Sequence, residues 1–149
     1  MSLTAFNPGE LRRFTKTFEE LFDTADPTGM TSYYTEQAHL MGDGMQPIQG
    51  HDAITHFWRE AITRTAAAQA RRTIQLLESH CSGDLGYALC TVMVEIPPAI
   101  SPPAAADAAI TGTDITVWDA TIWHRDPDGS WRIAVDISTP LPPVNPPRP

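Results

Sequence analysis

The stretch Trp123-His124-Arg125-Asp126-Pro127-Asp128-Gly129-Ser130-Trp131-Arg132-Ile133-Ala134-Val135-Asp136 reads as two strands joined by a tight turn. Proline presets the first turn torsion, Asp hydrogen-bonds back to its own backbone, and Gly accepts a left-handed conformation. On both sides, aromatic and β-branched residues alternate with polar ones, the period of a strand buried on one face. Upstream, residues 73–80, 85–96 and 110–125 repeat this character, broken by Ser82-Gly83-Asp84 and by a Pro/Ala-rich stretch at 97–109. With 130–138 they make four successive strands. The 97–109 stretch is too long for a tight hairpin and is expected to be a rim loop or a flap.

Before the strands the period changes to helical. Asn7-Pro8-Gly9-Glu10 is a helix start, with Asn as cap, Pro at the first position and Glu placed to close a capping box. Leu11, Phe14, Phe18, Leu21 and Phe22 follow on one face. Asp26-Pro27 opens a short second helix expected to run through Tyr33-Tyr34, and 38–41 is a short strand ended by Gly42-Asp43-Gly44. Gly50 precedes a third helix in which Ile54, Phe57, Trp58, Ala61 and Ile62 form a stripe. Three helices followed by hairpin-linked strands predict an α+β domain with a mostly antiparallel sheet and the helices on one face.

The 149 residues suit one domain, and with 42% hydrophobic and 19% charged residues the chain can bury a core. A formal charge of −8 with Lys16 as the sole lysine argues against nucleic acid and anionic membrane surfaces as partners. No apolar run is long enough to span a bilayer and no signal-like segment opens the chain, which predicts a soluble cytoplasmic protein. Six of the 14 prolines fall in 140–149, so the domain is expected over 1–139 and a proline-rich tail over 140–149.

The order of these pieces resembles the nuclear transport factor 2-like superfamily, specifically its SnoaL-like and ketosteroid-isomerase-like bacterial members. The resemblance covers roughly residues 9–138. It rests on Phe18-Glu19-Glu20-Leu21 leading to Asp26, on Tyr34-Thr35-Glu36-Gln37-Ala38, on Ile48-Gln49-Gly50-His51-Asp52-Ala53-Ile54, and on the closing hairpin. It implies a cone-shaped curved sheet with three N-terminal helices enclosing an apolar pocket, and a homodimer formed through the outer sheet face. It does not fix a reaction, since the fold hosts isomerases, cyclases, epoxide hydrolases, dehydratases and non-catalytic binders. Where ketosteroid isomerases carry an oxyanion-binding Tyr this chain has Phe18, and their second oxyanion donor maps near Thr121, so a faithful steroid isomerase is not expected. Their general base maps to Asp43.

Two carboxylates on the closing hairpin carry the chemistry. If the strands turn symmetrically about Pro127-Asp128, Asp119 faces Asp136 at about 5 Å, and two carboxylates so close in an apolar cone cannot both ionise easily. If Gly129 adds a bulge the pairing moves by one residue and the two fall on opposite faces. The alternation of Trp131, Ile133, Val135 and Ile137 puts Asp136 on the wet side; the resemblance turns it into the cavity. Asp136, Asp119 and Asp43 are therefore the candidate catalytic residues. Phe18, Tyr34, Trp58, Trp118, Thr121, Trp123 and His39 are the candidate ligand-binding residues, the tryptophans and tyrosines being equally suited to ordinary core and interface packing.

No His pair has metal-ligand spacing, and no phosphate loop, nucleophile elbow or cysteine cluster occurs, so neither metal nor cofactor is expected. Cys81 and Cys90 flank a hairpin in which Cys81 faces Gly86 and Cys90 faces Leu77, and they are expected to be reduced. The expected function is cofactor-independent acid/base catalysis on a small apolar organic substrate, by isomerisation, cyclisation, dehydration or hydrolysis. The alternative is a non-catalytic ligand-binding or dimeric assembly protein of the same fold.

Overall fold

The computed structural model describes residues 1–97 and 114–142. Its elements run α1 (Pro8–Asp23), α2 (Pro27–Thr31), β1 (Tyr34–Met41), β2 (Ile48–Gln49), α3 (His51–Ala67), β3 (Arg71–Ser82), β4 (Leu85–Glu95), β5 (Ile115–Arg125) and β6 (Trp131–Pro140). The six strands form one open, curved sheet in the order β2-β1-β6-β5-β4-β3. All neighbours are antiparallel except β1 and β6, which are parallel. The loop expected at 97–109 lies almost entirely outside the described residues, as does most of the tail at 140–149. The ordered ladder reaches slightly past 139, since β6 ends at Pro140 and the Leu141 N–H donates to the Thr116 carbonyl at 2.8 Å.

The helix starts obey local chemistry. Asn7 Oδ1 accepts from the Glu10 N–H at 2.9 Å, and Pro8 occupies the first turn, where its missing N–H costs nothing. The capping box does not close, because Glu10 pairs its carboxylate with Arg13. Asp26 caps α2 through the Gly29 N–H at 2.8 Å. That helix stops at Thr31, so Tyr34 opens β1 and does not finish a helix as the sequence suggested. The 16-residue α1 lays Leu11, Phe18, Leu21 and Phe22 onto the inner sheet face. From α1, Glu19 Oε1 accepts the Ile74 N–H at 2.7 Å, satisfying a donor on β3, an edge strand of the sheet.

Two register shifts decide which side chains face inward. Near its turn the β5–β6 hairpin pairs Arg125 with Trp131 and Trp123 with Ile133, the register that a left-handed Gly129 (φ +87°) produces. Between Trp123–Ile133 and Ile122–Val135 the pairing slips, leaving Ala134 as the extra residue. Trp131 and Ile133 therefore point inward before the bulge, and Asp136 points inward after it, while Val135 and Ile137 turn outward. Beyond the bulge Asp136 pairs with Thr121 and Asp119 with Ser138. The two carboxylates are thus diagonal neighbours on one face, neither directly opposed nor on opposite faces. A second slip in β3 at Leu77 pairs Cys90 with Leu76 instead of Leu77, whereas Cys81 faces Gly86 as expected; both thiols are free.

The core is closed at one end by the N-terminal segment. Leu3 forms a bridge to Trp131, and Phe6 lies on Gly86 so closely that an added Cβ there would sit 2.8 Å from its ring. Trp123, fully buried, packs edge-on against Phe14 at 5.0 Å and against Phe6 at 6.0 Å.

Candidate active site

Three strands and a helix bring polar groups to one apolar chamber. Tyr34 at the start of β1 is 1% exposed and donates its hydroxyl to Asp136 Oδ2 at 2.5 Å. Its carbonyl accepts from His51 Nε2 at 2.9 Å, which ties the strand to the start of α3. Asp136, 7% exposed on β6, also lies within hydrogen-bonding range of the Asp119 carboxyl on β5. Thr121 accepts from Trp123 Nε1 at 2.8 Å and donates to the Ala88 carbonyl at 3.4 Å. The Trp58 indole, from α3, is turned toward the Tyr34 phenol without forming a hydrogen bond of normal geometry.

Tyr34, Trp58, Asp119, Thr121 and Asp136 line a cavity of about 50 Å³ whose apolar wall includes Leu11, Phe14, Phe18, Ile74, Leu76 and Ile133. That is room for a few waters, far below the ~300–1,000 Å³ of a pocket for a drug-sized ligand. The chamber adjoins a vestibule of about 230 Å³, with Trp58, Arg72, Val92 and Asp119 lining both. Asp119 therefore faces the outer space as well as the inner one, whereas Asp136 faces only the inner one.

Electrostatics follow from the lack of water. Burial pushes the Asp119 carboxyl well above the usual carboxylate range; the neighbouring Asp136 charge adds to this, and Arg72 partly offsets it. Burial also raises Asp136, while hydrogen bonds from Asp119 and Tyr34 favour its ionised form. Both carboxyls are thus raised, Asp119 the more strongly, and the two titrate as a pair. Burial and the two carboxylates together drive the Tyr34 phenol up, so it stays a donor. The Cys90 thiol, desolvated beside the same carboxylates, is pushed up to about 12 and is no nucleophile.

A pH dependence of stability follows. A carboxyl whose pKa is higher folded than unfolded binds more protons when folded, so its contribution is full below the ordinary 3.8 and declines as pH rises toward the folded value. The wild type is expected to lose thermal stability as pH rises above the ordinary carboxylate range, and Asp119→Asn to lose less. Calorimetry of both proteins across that rise in pH checks it.

The structure brings Asp136, Asp119, Tyr34, Trp58, Phe18 and Thr121 to this one chamber. It does not bring the other sequence candidates there. Asp43 is exposed in the turn between β1 and β2, in a separate groove with Met45, His56 and Glu60. His39 is exposed on β1, and Trp118 is 43% exposed on the outer sheet face. Trp123 is core beneath the chamber, not its wall. Sequence reasoning missed Arg72. Its signal was present, because Arg72 shares a strand face with Ile74 and Leu76, an isolated cation in an inward-facing apolar row.

The fold agrees with what the chain resembles. Residues 12–134 match the SnoaL-like domain model, and the chain belongs to that family. Among solved structures, it is similar to an NTF2-like protein with a cystatin-like fold from Novosphingobium aromaticivorans, at 17% identity and a TM-score of 0.71 over 89% of this chain and 80% of that one. It is also similar to a ketosteroid isomerase-like protein from Erwinia carotovora atroseptica, at 17% identity and a TM-score of 0.64 over 93% and 100%. A third is a candidate calcium/calmodulin dependent protein kinase II association domain from Xanthomonas campestris, at 14% identity and a TM-score of 0.68 over 97% of each chain. No curated protein matches the chain in sequence. At these identities the likeness is one of fold. No helix among the described residues is long and apolar enough to cross a membrane.

Proposed function

We propose that the chain is a cofactor-independent acid/base enzyme acting on a small, largely apolar organic substrate. The observation that carries this reading is the chain from buried Tyr34 and Asp136 to half-buried Asp119 at the junction of the cavity and vestibule. A carboxylate and a carboxylic acid side by side at neutral pH are the two halves of proton transfer. Asp136 is the base, held in place by the Tyr34 hydroxyl. Asp119, which reaches the vestibule, is the acid. A substrate seated in the vestibule with its reacting end in the inner cavity meets both, and the aromatic walls exclude water. Isomerisation, cyclisation, dehydration and hydrolysis can each be served by such a pair. A panel of enolisable ketones, epoxides and β-hydroxy acids incubated in D2O without cofactor is expected to yield product or deuterium incorporation in at least one case, followed by NMR. Absence of Asp136-dependent turnover across the panel would contradict the reading.

A separate observation supports self-association. On the outer sheet face Tyr87, Trp118, Ile122 and Ile137 are each between 37% and 43% exposed, and Tyr87 lies directly beside Ile122 in the ladder. An apolar row of this kind on three adjacent strands suits a second copy of the same face. The chain is accordingly proposed to form a homodimer there, as the alternative assembly role would also require. Light scattering is expected to give a dimer mass for the wild type and a monomer mass for Ile122→Asp; a monomeric wild type would exclude the interface.

A further inference from the structure

Arg72 and Trp58 stand where the inner cavity meets the vestibule, and each carries a donor that makes no hydrogen bond of normal geometry. Arg72 Nε and Trp58 Nε1 are buried N–H groups without a hydrogen-bond partner. The guanidinium lies 3.7 Å from the centre of the Phe22 ring and 5.8 Å from that of Trp58, and among the described residues it forms no salt bridge. Leaving two buried donors unsatisfied, one of them on a half-buried cation, is unfavourable unless something returns the lost hydrogen bonds. Desolvation already lowers the Arg72 pKa to about 10. The Asp119 and Asp23 carboxyls offset that shift in part, but neither forms a salt bridge with the guanidinium. Arg64 adds a second cation to the vestibule, while Phe57, Ala61, Val92, Val94 and Val117 give it apolar walls.

We propose that the Arg72–Trp58 pair binds the carboxylate of a small organic acid whose apolar body fills the vestibule. One oxygen takes the Arg72 N–H and the other the Trp58 indole N–H, which satisfies both donors and pairs the half-buried charge. Phe22 beneath the guanidinium holds it flat, so little rotamer freedom is lost on binding. Such a ligand would lie with its neighbouring carbon beside Asp119. The proposal deepens the acid/base reading and rests on it only for the statement that the bound acid is a substrate.

Titration calorimetry with phenylacetate and with its neutral isostere phenylacetamide tests the site, alongside the Trp58 indole N–H resonance identified by Trp58→Phe. Phenylacetate is expected to bind at least about tenfold more tightly than phenylacetamide and to shift that resonance. Arg72→Met should lose about tenfold or more of the phenylacetate affinity, Arg72→Lys less, and Trp58→Phe a few-fold. Should Arg72→Met fail to fold, Arg72→Lys and Trp58→Phe carry the same comparison. Equal affinity for acid and amide, no binding of phenylacetate, or affinity indifferent to these changes overturns the proposal. Arg72-dependent binding in a protein without Asp136-dependent turnover upholds the site and refutes the acid/base reading. Asp136-dependent turnover without Arg72-dependent binding does the reverse.

Discussion

Asp136→Asn is expected to lower turnover by about 10²- to 10⁴-fold while leaving the fold intact. Asn has the same shape and keeps an oxygen where Tyr34 donates, so the 2.5 Å contact retains an acceptor. What is lost is the charge. Asn cannot take a proton, and Asp119, relieved of a neighbouring anion, is drawn back toward an ordinary carboxyl by Arg72. The base disappears and the acid weakens in one step. Stability should stay level or rise slightly, because an ionised group held at 7% exposure gives way to a neutral one. Turnover and a denaturant melt on the same preparation separate the two effects; equal loss of both would mark Asp136 as structural.

Trp123→Ala is expected to do the opposite, costing about 3–5 kcal/mol of stability. Trp123 is fully buried, meets Phe6 and Phe14 edge-on, and gives its indole N–H to Thr121. Its removal opens a void under the sheet and leaves the Thr121 hydroxyl without its donor. Against the ~5–15 kcal/mol that holds a domain of this size together, such a loss leaves little folded protein at physiological temperature. Trp123→Phe keeps the ring contacts and should cost less, with turnover close to wild type because this side chain does not border the cavity. A fall in activity far exceeding the fall in stability for Trp123→Phe would instead place the residue in the binding wall. Urea titration with tryptophan fluorescence, read beside turnover, gives both quantities.

The fold was largely legible because its signals are local and repeated. The cap at Asn7, the apolar stripes of α1 and α3 and the Asp-Pro-Asp-Gly turn each specify an element from neighbouring residues alone, and their order confines the topology. Less legible was anything that depended on counting across a bulge. The alternation from Trp131 to Ile137 is regular in sequence, yet Ala134 interrupts it in space, and one unpaired residue decides whether Asp136 meets water or the cavity. Nothing in the composition of β6 marks Ala134 for that role; the curvature of the sheet does. Trp118 and Trp123 illustrate the same limit from the other side, since both are tryptophans on β5 and only parity along the strand separates outer surface from core. Arg72 escaped notice for a different reason: a cation inside a strand pattern is ordinarily solvent-facing, and only the three-dimensional arrangement reveals that it forms no salt bridge among the described residues.

The proposed chemistry depends on one proton shared between the Asp119 and Asp136 carboxyls, and that proton is directly observable. Carbon-13 NMR titration of Asp-labelled protein, with Asp119→Asn and Asp136→Asn as assignment controls, reads each carboxyl separately. One aspartate resonance, absent in Asp119→Asn, is expected to titrate well above the ordinary 3.8, and to move toward that value in Asp136→Asn. If instead every aspartate titrates near 3.8 and neither substitution alters the others, the carboxyls are independent and solvated, and the proton-transfer site does not exist.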